Sequence, residues 1–234
     1  MDHLSPEYPV FYPKRIRRIV PWYEEMVQTV VSAATHISET RNCNCRTIVE
    51  LGLGDGYLVR KLLEASPQTR VLALEISPHV CQTVKQGLGG YCDSGRLQIF
   101  NHNINQMDEL KAQLKCCRVV ICSLLLHDIN PEKQLDFLKL CGEMLSPTGS
   151  MVLADPMLTG SDFMDEILVK DWVAAMLANG FPQAEIDDLR RNDPCMFQAL
   201  KEEDLVGLFY KAGFATVRTI WRRCNFTVAI ASKK

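Results

Sequence analysis

The sequence predicts an α/β protein built around a doubly wound sheet, and two observations carry that prediction. From residue 41 onward, short β-branched runs alternate with single helical patterns, which is typical of right-handed βαβ units and a parallel sheet. The chain then ends on two strand patterns, "TVRTIWRR" and "NFTVAIAS", separated only by a turn around Cys224–Asn225. So short a connection makes that pair antiparallel. We therefore predict a Rossmann-like, seven-stranded sheet that closes on an antiparallel hairpin.

Five strand patterns precede the hairpin, in the order "TIVELGL", "RVLALEI", "LQIFNHN", "RVVICSLLL" and "GSMVLADPM". Between the first two, "YLVRKLLEA" repeats leucine at helical spacing. "SPHVCQTVKQGL" opens with Ser77 as helix cap and Pro78 at the first helical position. "NPEKQLDFLKLCGEMLSPTG" predicts a longer helix that stops at its final "SPTG".

Two helical segments lie outside this alternation. Residues 1–40 form an N-terminal lead-in with a helix predicted over 20–40, and residues 158–200 form a helical cap broken at "NGFP" and "RNDP". The cap carries large apolar side chains that suit either a core or a pocket: Trp172, Met176, Phe181 and Met196. We predict one domain over 1–234 that contains both segments.

Composition predicts an ordinary globular protein. The 234 residues are 47% hydrophobic and 23% charged, with a net charge of -2, so no general attraction to nucleic acid or membrane is expected. A basic cluster, Lys14 to Arg18, suits either a solvated helix face or a contact with a phosphate or carboxylate. No apolar run approaches the roughly 18 residues of a membrane span, and the start is not that of a signal peptide.

The ten cysteines predict reduced thiols rather than a disulfide framework. Cys81, Cys122 and Cys141 fall inside predicted strands or helices, which suits buried thiols and a cytoplasmic protein. Neither the pair Cys43 and Cys45 nor the pair Cys116 and Cys117 has zinc-ligand spacing with a matching second pair. We therefore predict no metal site.

The stretch "VELGLGDGYLVRKLL" contains a glycine turn at Gly52, Gly54 and Gly56. A dinucleotide-binding turn needs a third glycine where this chain has Tyr57, and a phosphate-binding P-loop needs a Gly-Lys-Ser/Thr that is missing. Glu50 followed by Gly-x-Gly-x-Gly instead fits the signature for S-adenosylmethionine (SAM). Backbone at the glycines would approach the amino-acid end of SAM, and Glu50 would bind its ammonium.

Later strand ends supply partners for the rest of SAM. Glu75 ends the second strand 21 residues after Gly54, where a carboxylate accepts hydrogen bonds from ribose hydroxyls, although helix capping or a solvated charge would also suit it. Ile76 would face the adenine, and Asn103 with Ile104 after the third strand would hold its amino group and ring. Carboxyl ends of parallel strands share one edge, so these positions together predict SAM binding.

Two further residues are candidates for catalysis. His127 follows the fourth strand, and the ordinary pKa of imidazole, about 6.5, suits a general base. A polar or capping role in the loop fits it equally. Asp155 ends the fifth strand, where it would either orient a substrate or cap the next segment.

The chain resembles class I SAM-dependent methyltransferases, and within that fold the carboxy-SAM synthases of tRNA wobble-uridine modification. The resemblance runs nearly end to end and includes "VFYPKRIRRIVPWY", with Arg18, Pro21 and Tyr23 at the family's Arg-x-x-Pro-x-Tyr, and later "FYKAGF" and "WRRCNF". It implies that Tyr23 contacts the amino-acid end of the cofactor. It also implies the same cofactor contacts for the residues already named: Gly52, Gly54, Glu75, Ile76, Asn103 and Ile104.

Two positions depart from that family. Ser123, at the cofactor side of strand four, stands where the family has asparagine, and Leu208 stands where the family has an arginine that holds the carboxylate of carboxy-SAM. Leucine has no charged fork for a carboxylate. We therefore expect plain SAM as the ligand.

The function predicted from the sequence is methyl transfer from SAM to a small metabolite, in a biosynthetic role. The alternative is a synthase, lyase or cyclase that consumes SAM without methyl transfer, for example by cyclising its aminobutyrate arm and releasing methylthioadenosine. A small-molecule substrate is expected in either case, without nucleic acid or membrane, and a homodimer is left open.

Overall fold

The computed structural model describes residues 4–39, 46–104, 106, 110–192, 197 and 199–233. Its centre is one seven-stranded sheet in the order β3-β2-β1-β4-β5-β7-β6. The strands are β1 (Thr47–Leu51), β2 (Arg70–Glu75), β3 (Leu97–Asn101), β4 (Cys117–Ser123), β5 (Leu145–Pro156), β6 (Thr216–Arg223) and β7 (Phe226–Ser232). β1 to β5 pair in parallel, and β7 runs antiparallel to both β5 and β6. The predicted fold class, including the terminal hairpin, is confirmed.

Helices cover both faces of the sheet. Those with a described range are α1 (Tyr8–Ile19), α2 (Tyr23–Glu39), α3 (Tyr57–Ala65), α4 (Pro78–Gly87), α5 (Gly89–Asp93), α6 (Lys111–Leu114), α7 (Pro131–Met144), α8 (Asp162–Ala178), α9 (Gln183–Asn192) and α10 (Glu202–Lys211). One buried core joins the sheet to the first four helices and to α8 and α9, and the other joins it to α6, α7 and α10. Two separate cores of this kind are what a doubly wound sheet requires.

Side chains cap the starts of α4 and α7, and the cap at Ser77 is the one predicted from the sequence. The Ser77 hydroxyl accepts a hydrogen bond from the Val80 amide at the start of α4, and Asn130 Oδ1 accepts one from the Glu132 amide at the start of α7. Each cap satisfies one of the amides that a helix start leaves unpaired. These caps fix where each helix leaves the carboxyl edge of the sheet.

Two strand boundaries differ from the sequence prediction. β4 stops at Ser123 because Leu124 has a positive φ of 52° and turns the chain out of the sheet, into a 3-10 turn over Leu126–Asp128. β5 begins at Leu145 rather than at Gly149, and its register with β4 shifts between Cys117 and Val119. The "SPTG" segment therefore belongs to the strand.

The lead-in holds two helices where the sequence predicted one. α1 begins at Tyr8 with Pro9 in its first turn, and Pro13 lies inside it. Proline is common in the first turn of a helix, but inside a helix it lacks the amide that donates the backbone hydrogen bond. With two prolines in this segment, the sequence pattern did not predict the helix. α2 matches the helix predicted over 20–40.

The cap region contains α8 and α9, and its large apolar side chains are core. Trp172, Met176 and Phe181 are buried, whereas Met196 lies outside the described residues. Trp172 Nε1 donates a hydrogen bond of 2.6 Å to the Ile19 carbonyl, and its ring meets that of Phe226 edge-on at 5.3 Å. The cap is thereby fastened to both α1 and the terminal hairpin.

The three cysteines predicted as buried thiols, Cys81, Cys122 and Cys141, are buried and form no disulfide. Cys43 and Cys45 lie outside the described residues. Within the described ranges, no helix combines the length and the apolar character that a bilayer crossing requires.

Candidate active site

A cavity of about 240 Å³ opens at the carboxyl edge of the sheet, beside the glycine turn that joins β1 to α3. Open α/β sheets bind ligands at this edge, and the volume approaches the roughly 300 Å³ at which small-molecule sites begin. The lining residues are Tyr8, Tyr12, Gly52, Gly54, Leu74, Glu75, Ile76, His102, Asn103, Ile104, Ser123, Leu124, Leu125 and Asp128. Seven of these are predicted cofactor contacts.

The glycine turn has positive φ values at Gly52, Gly54 and Gly56, and close approach explains two of the three. A Cβ at Gly54 would lie 3.3 Å from Tyr12 Cε1, so the turn is open to the cavity only as glycine. A Cβ at Gly56 would lie 2.9 Å from both Val84 methyl groups. The absence of a side chain at Gly56 therefore allows α4 to pack against the turn. The same absence at Gly54 leaves room for Tyr12 at the cavity.

Glu75 is held at the cavity by the backbone around it. Its Oε2 accepts a hydrogen bond of 3.0 Å from the Leu53 amide, and its Oε1 accepts one of 2.8 Å from the Ser77 amide. The Asn101 side chain donates to the carbonyls of Glu75 and Ile76 at 2.9 Å each. The carboxylate is thus fixed in place while its remaining lone pairs are available to a ligand.

Glu50 lies on β1, two residues before Gly52 of the glycine turn, and is not part of the cavity wall. It is 1% exposed, and its Oε2 has no hydrogen-bond partner. Burial, with the charges of Asp55 and Glu75 adding to it, raises the pKa of Glu50 well above its usual range. A buried carboxyl oxygen without a partner is costly unless a ligand supplies one.

Tyr23, implied as a cofactor contact, also stands outside the cavity wall. It is buried, and the Arg17 guanidinium lies 5.0 Å from the centre of its ring. Burial raises the pKa of Tyr23, and the neighbouring Tyr12, Asp55 and Glu50 contribute in the same direction. Tyr23 and Glu50 therefore belong to one group of side chains on the α1 and α2 side of the turn.

α1 covers the cavity and is fastened to the glycine turn. Tyr8 and Tyr12 line the cavity with their rings stacked at 4.9 Å. Arg17 Nη1 bonds Asp55 Oδ2 of the turn at 3.1 Å, and its Nε bonds Glu24 Oε1 at 2.9 Å. Of the two interpretations of the basic cluster, Arg17 therefore fits a carboxylate contact, although the carboxylates belong to the chain itself.

Arg15 and Arg18 of the basic cluster connect α1 to the cap. Arg18 donates to the Gly180 carbonyl, and its guanidinium lies 5.4 Å from the centre of the Phe181 ring. Arg15 lies 5.6 Å from the same ring. Cation–π contacts of this kind join the end of α1 to the connection between α8 and α9.

His127 and Asp155 form a buried pair beside the cavity. His127 Nδ1 lies 2.8 Å from Asp155 Oδ1, and its amide donates to Asp155 Oδ2 at 2.9 Å. Burial raises the pKa of Asp155, and the hydrogen bonds and charge of His127 oppose that shift. Both side chains border a small void of about 10 Å³, not the main cavity, which is reached by Asp128. Asp128 Oδ1 lies 3.6 Å from His127 Nε2.

Comparison with known proteins agrees with this geometry. A family model described as a methyltransferase domain matches residues 49–151, which include the glycine turn, Glu75 and the segment after β4. Over these residues, which are less than half of the chain, the protein is similar to a methyltransferase domain.

Similar proteins differ in what their names say they do. The carboxy-S-adenosyl-L-methionine synthase of Pseudomonas fluorescens is 24% identical over 223 residues, covering 94% of this chain and 88% of that enzyme. A tRNA N(3)-methylcytidine methyltransferase of Schizosaccharomyces pombe, trm141, is 28% identical over 174 residues, covering 73% of this chain and 65% of that protein. The names of these two relatives therefore indicate two different reactions.

Among solved structures, the pyocyanin biosynthetic protein PhzM superimposes with a TM-score of 0.61 at 17% identity. The match covers 86% of this chain and 54% of PhzM, so the chain spans about half the length of that protein. At this identity the likeness shows the fold.

Several residues of this site were not predicted from the sequence. Tyr8 and Tyr12 line the cavity from α1, a helix that was not predicted because of its two prolines. Their spacing of four residues, which places both on one helix face, was the sequence signal that could have indicated them. Asp128 directly follows His127 in the chain, and it is the one of these two residues that lines the cavity.

Leu208 stands where the carboxy-SAM synthases have their carboxylate-binding arginine. It lies on α10 and packs against the core that joins the sheet to α6, α7 and α10. It does not line the cavity. None of the described residues that do line it is a lysine or arginine. Nor do the described residues contain a cluster of three or more His, Cys, Asp or Glu side chains placed to hold a metal ion.

Proposed function

We propose that the chain binds SAM in this cavity and transfers its methyl group to a small metabolite, in a biosynthetic role. The observation that carries the proposal is the charge of the site. Two carboxylates, of Glu75 and Asp128, line the cavity without any lysine or arginine among the described lining residues. The Oε2 of Glu50, on the strand that leads into the glycine turn, has no hydrogen-bond partner. SAM brings a sulfonium and an ammonium against a single carboxylate, so its net positive charge matches this arrangement.

The order of the strands supports one orientation of SAM. Glu75 would accept the ribose hydroxyls at the end of β2, and Ile76, Asn103 and Ile104 would hold the adenine beside β3. The amino-acid end would then lie over β1, where the glycine backbone is open. Glu50 and Tyr23 would take the ammonium and its surroundings, and Ser123 would lie on the β4 side.

In this proposal the bound SAM supplies a methyl group already activated for attack. The chain then has to align the acceptor and exclude water, and α1 lies over the cavity where it would do so. His127 is the proposed general base. Asp155 accepts from Nδ1–H, which leaves Nε2 as the basic nitrogen. Because His127 does not line the cavity, the acceptor's proton would reach Nε2 by way of Asp128, whose Oδ1 lies 3.6 Å from Nε2 at the cavity wall.

Synthesis of carboxy-SAM is disfavoured by the same charges. That product carries an additional carboxylate, which needs a cation, and the described cavity lining offers none. Leu208 cannot supply one either, since it is an apolar side chain against the core. Plain SAM remains the proposed ligand.

A second function is kept because the carboxy-SAM synthases match the chain over 94% of its length. A SAM-consuming synthase, lyase or cyclase would convert the aminobutyrate arm and release methylthioadenosine.

For either function we propose one domain over residues 1–234 with a cap over 158–200. We also propose a cytoplasmic location, which suits the buried reduced thiols. Nucleic acid is not proposed as a partner, given the net charge of -2, and a homodimer stays open.

Product analysis distinguishes the two functions. Purified chain is incubated with SAM alone and with SAM plus a deproteinised metabolite extract, and the adenosyl products are measured by mass spectrometry. Methyl transfer predicts S-adenosylhomocysteine (SAH) that forms only with the extract. Methylthioadenosine formed from SAM alone would contradict methyl transfer and favour the second function. A boiled sample controls for spontaneous breakdown of SAM.

A further inference from the structure

We propose that Tyr8, Tyr12 and Asp128 form a cation-selective end of the cavity, which binds SAM more tightly than its neutral product SAH. The inference rests on the proposed function and deepens it. SAM and SAH share their adenosine and amino-acid parts, and they differ in the methyl group and in the charge on sulfur. Selection between them must therefore come from side chains around the sulfur.

The placement of these three side chains follows from the topology. With adenosine over β3 and β2, the next positions along the sheet are β1 and β4, which carry the glycine turn and the segment ending in Asp128. Tyr12 approaches Gly54 of the turn from α1, since a Cβ there would lie 3.3 Å from its ring. The tyrosines and Asp128 thus line the same cavity, the tyrosines from α1 and Asp128 from the 3-10 turn after β4.

The chemistry of this end favours a cation. Tyr8 and Tyr12 stack at 4.9 Å and both line the cavity, and aromatic faces attract positive charge. Burial raises the pKa of both phenols, and the charges of Asp128, Glu75 and Asp55 contribute in the same direction. Those phenols therefore stay neutral at physiological pH, and the negative charge belongs to the carboxylate.

The surrounding charges do not cancel this preference. The other titratable side chains in the cavity wall are Glu75 and His102, and no described lining residue is a lysine or arginine. Arg17 lies nearby on α1, but it is paired with Asp55 and Glu24. A sulfonium therefore meets a field that is negative on balance, and a neutral thioether gains little from it.

The selectivity would assist turnover. During methyl transfer the bond from sulfur to the methyl carbon breaks, and its electron pair stays on sulfur. The methyl carbon bonds to the acceptor, and the acceptor's proton leaves to a base. The ligand thereby loses the charge that this end of the cavity holds, so SAH is released more easily than SAM.

Calorimetric titration of the purified chain with SAM, SAH and sinefungin tests this inference. Sinefungin carries an ammonium-bearing carbon in place of the sulfonium, so it reports on charge without methyl chemistry. We expect SAM and sinefungin to bind about tenfold more tightly than SAH. Tyr12→Leu and Asp128→Asn should each reduce that ratio about threefold or more, by weakening the two cationic ligands while the Kd of SAH changes less than about twofold.

Two matched variants serve as controls. Tyr12→Phe keeps the aromatic face and should keep the ratio, and Phe11→Leu changes an exposed ring on the same helix and should leave all three affinities unchanged. Equal loss of SAM and SAH affinity in Tyr12→Leu would mean a merely structural role and would overturn the inference. So would a ratio near one in the unmodified chain. Failure to bind any of the three ligands would instead overturn the proposed function.

Discussion

Glu75→Ala should weaken SAM binding about ten- to a hundredfold. Its carboxylate is held by the Leu53 and Ser77 amides at 3.0 and 2.8 Å, so it needs no rearrangement to accept the ribose hydroxyls. A hydrogen bond to a charged group contributes about 1.5–3 kcal/mol, and two would be lost, with partial compensation by water. Calorimetric titration with SAM measures the change.

Glu64→Ala is the matched control, because it removes the same charge from the exposed side of α3. The Glu64→Ala variant should bind SAM with the same affinity as the unmodified chain. Since Glu75 also anchors the glycine turn, the melting temperature of each variant without ligand is measured as well. An undiminished affinity in a folded Glu75→Ala chain would refute the assignment of Glu75 to the ribose.

Glu50→Gln should produce two opposite effects, a more stable free protein at neutral pH and weaker SAM binding. In the free protein the raised pKa of Glu50 favours its protonated form at pH values where an unfolded chain, with an ordinary glutamate pKa of about 4.3, is already ionised. The stability associated with this group is therefore fully present below that unfolded pKa and is lost as pH rises toward the folded pKa. Its slope is at most about 1.4 kcal/mol per pH unit. Glutamine does not titrate, so it removes this loss.

The measurement is thermal unfolding of both chains between pH 5 and pH 8. The advantage of Glu50→Gln in melting temperature should grow with pH, whereas a constant difference would contradict the raised pKa. For SAM the sign reverses, because the ammonium needs the ionised carboxylate as its partner. We expect about a ten- to hundredfold loss of affinity, together with proton release on binding that is seen in the unmodified chain and absent in the variant.

Much of this site could be predicted from the sequence because its signals are local. The glycine spacing, Glu75 at a strand end and the segment with Asn103 and Ile104 each follow a strand in the chain, and parallel strands bring such positions to one edge. The terminal hairpin was similarly plain, since its short turn allows only an antiparallel pair. Local pattern and topology were sufficient there.

The remainder depended on packing between distant segments. α1 is held beside the cavity by the ion pair between Arg17 and Asp55 of the glycine turn. These two residues are 38 positions apart, and no local pattern predicts their contact. The orientation of His127 was also beyond sequence reasoning. Its pairing with Asp155, 28 residues away, turns the imidazole into the protein and leaves Asp128 at the cavity.

A crystal structure of the chain with SAH tests the central claim, the orientation of the cofactor in the cavity, most directly. We predict the adenine between Ile76 and Ile104, and the ribose hydroxyls within hydrogen-bond distance of Glu75. The ammonium should lie on the Glu50 side of the glycine turn, with the sulfur beside Tyr12. An adenine over β1 or β4, or SAH bound outside this cavity, would contradict the account.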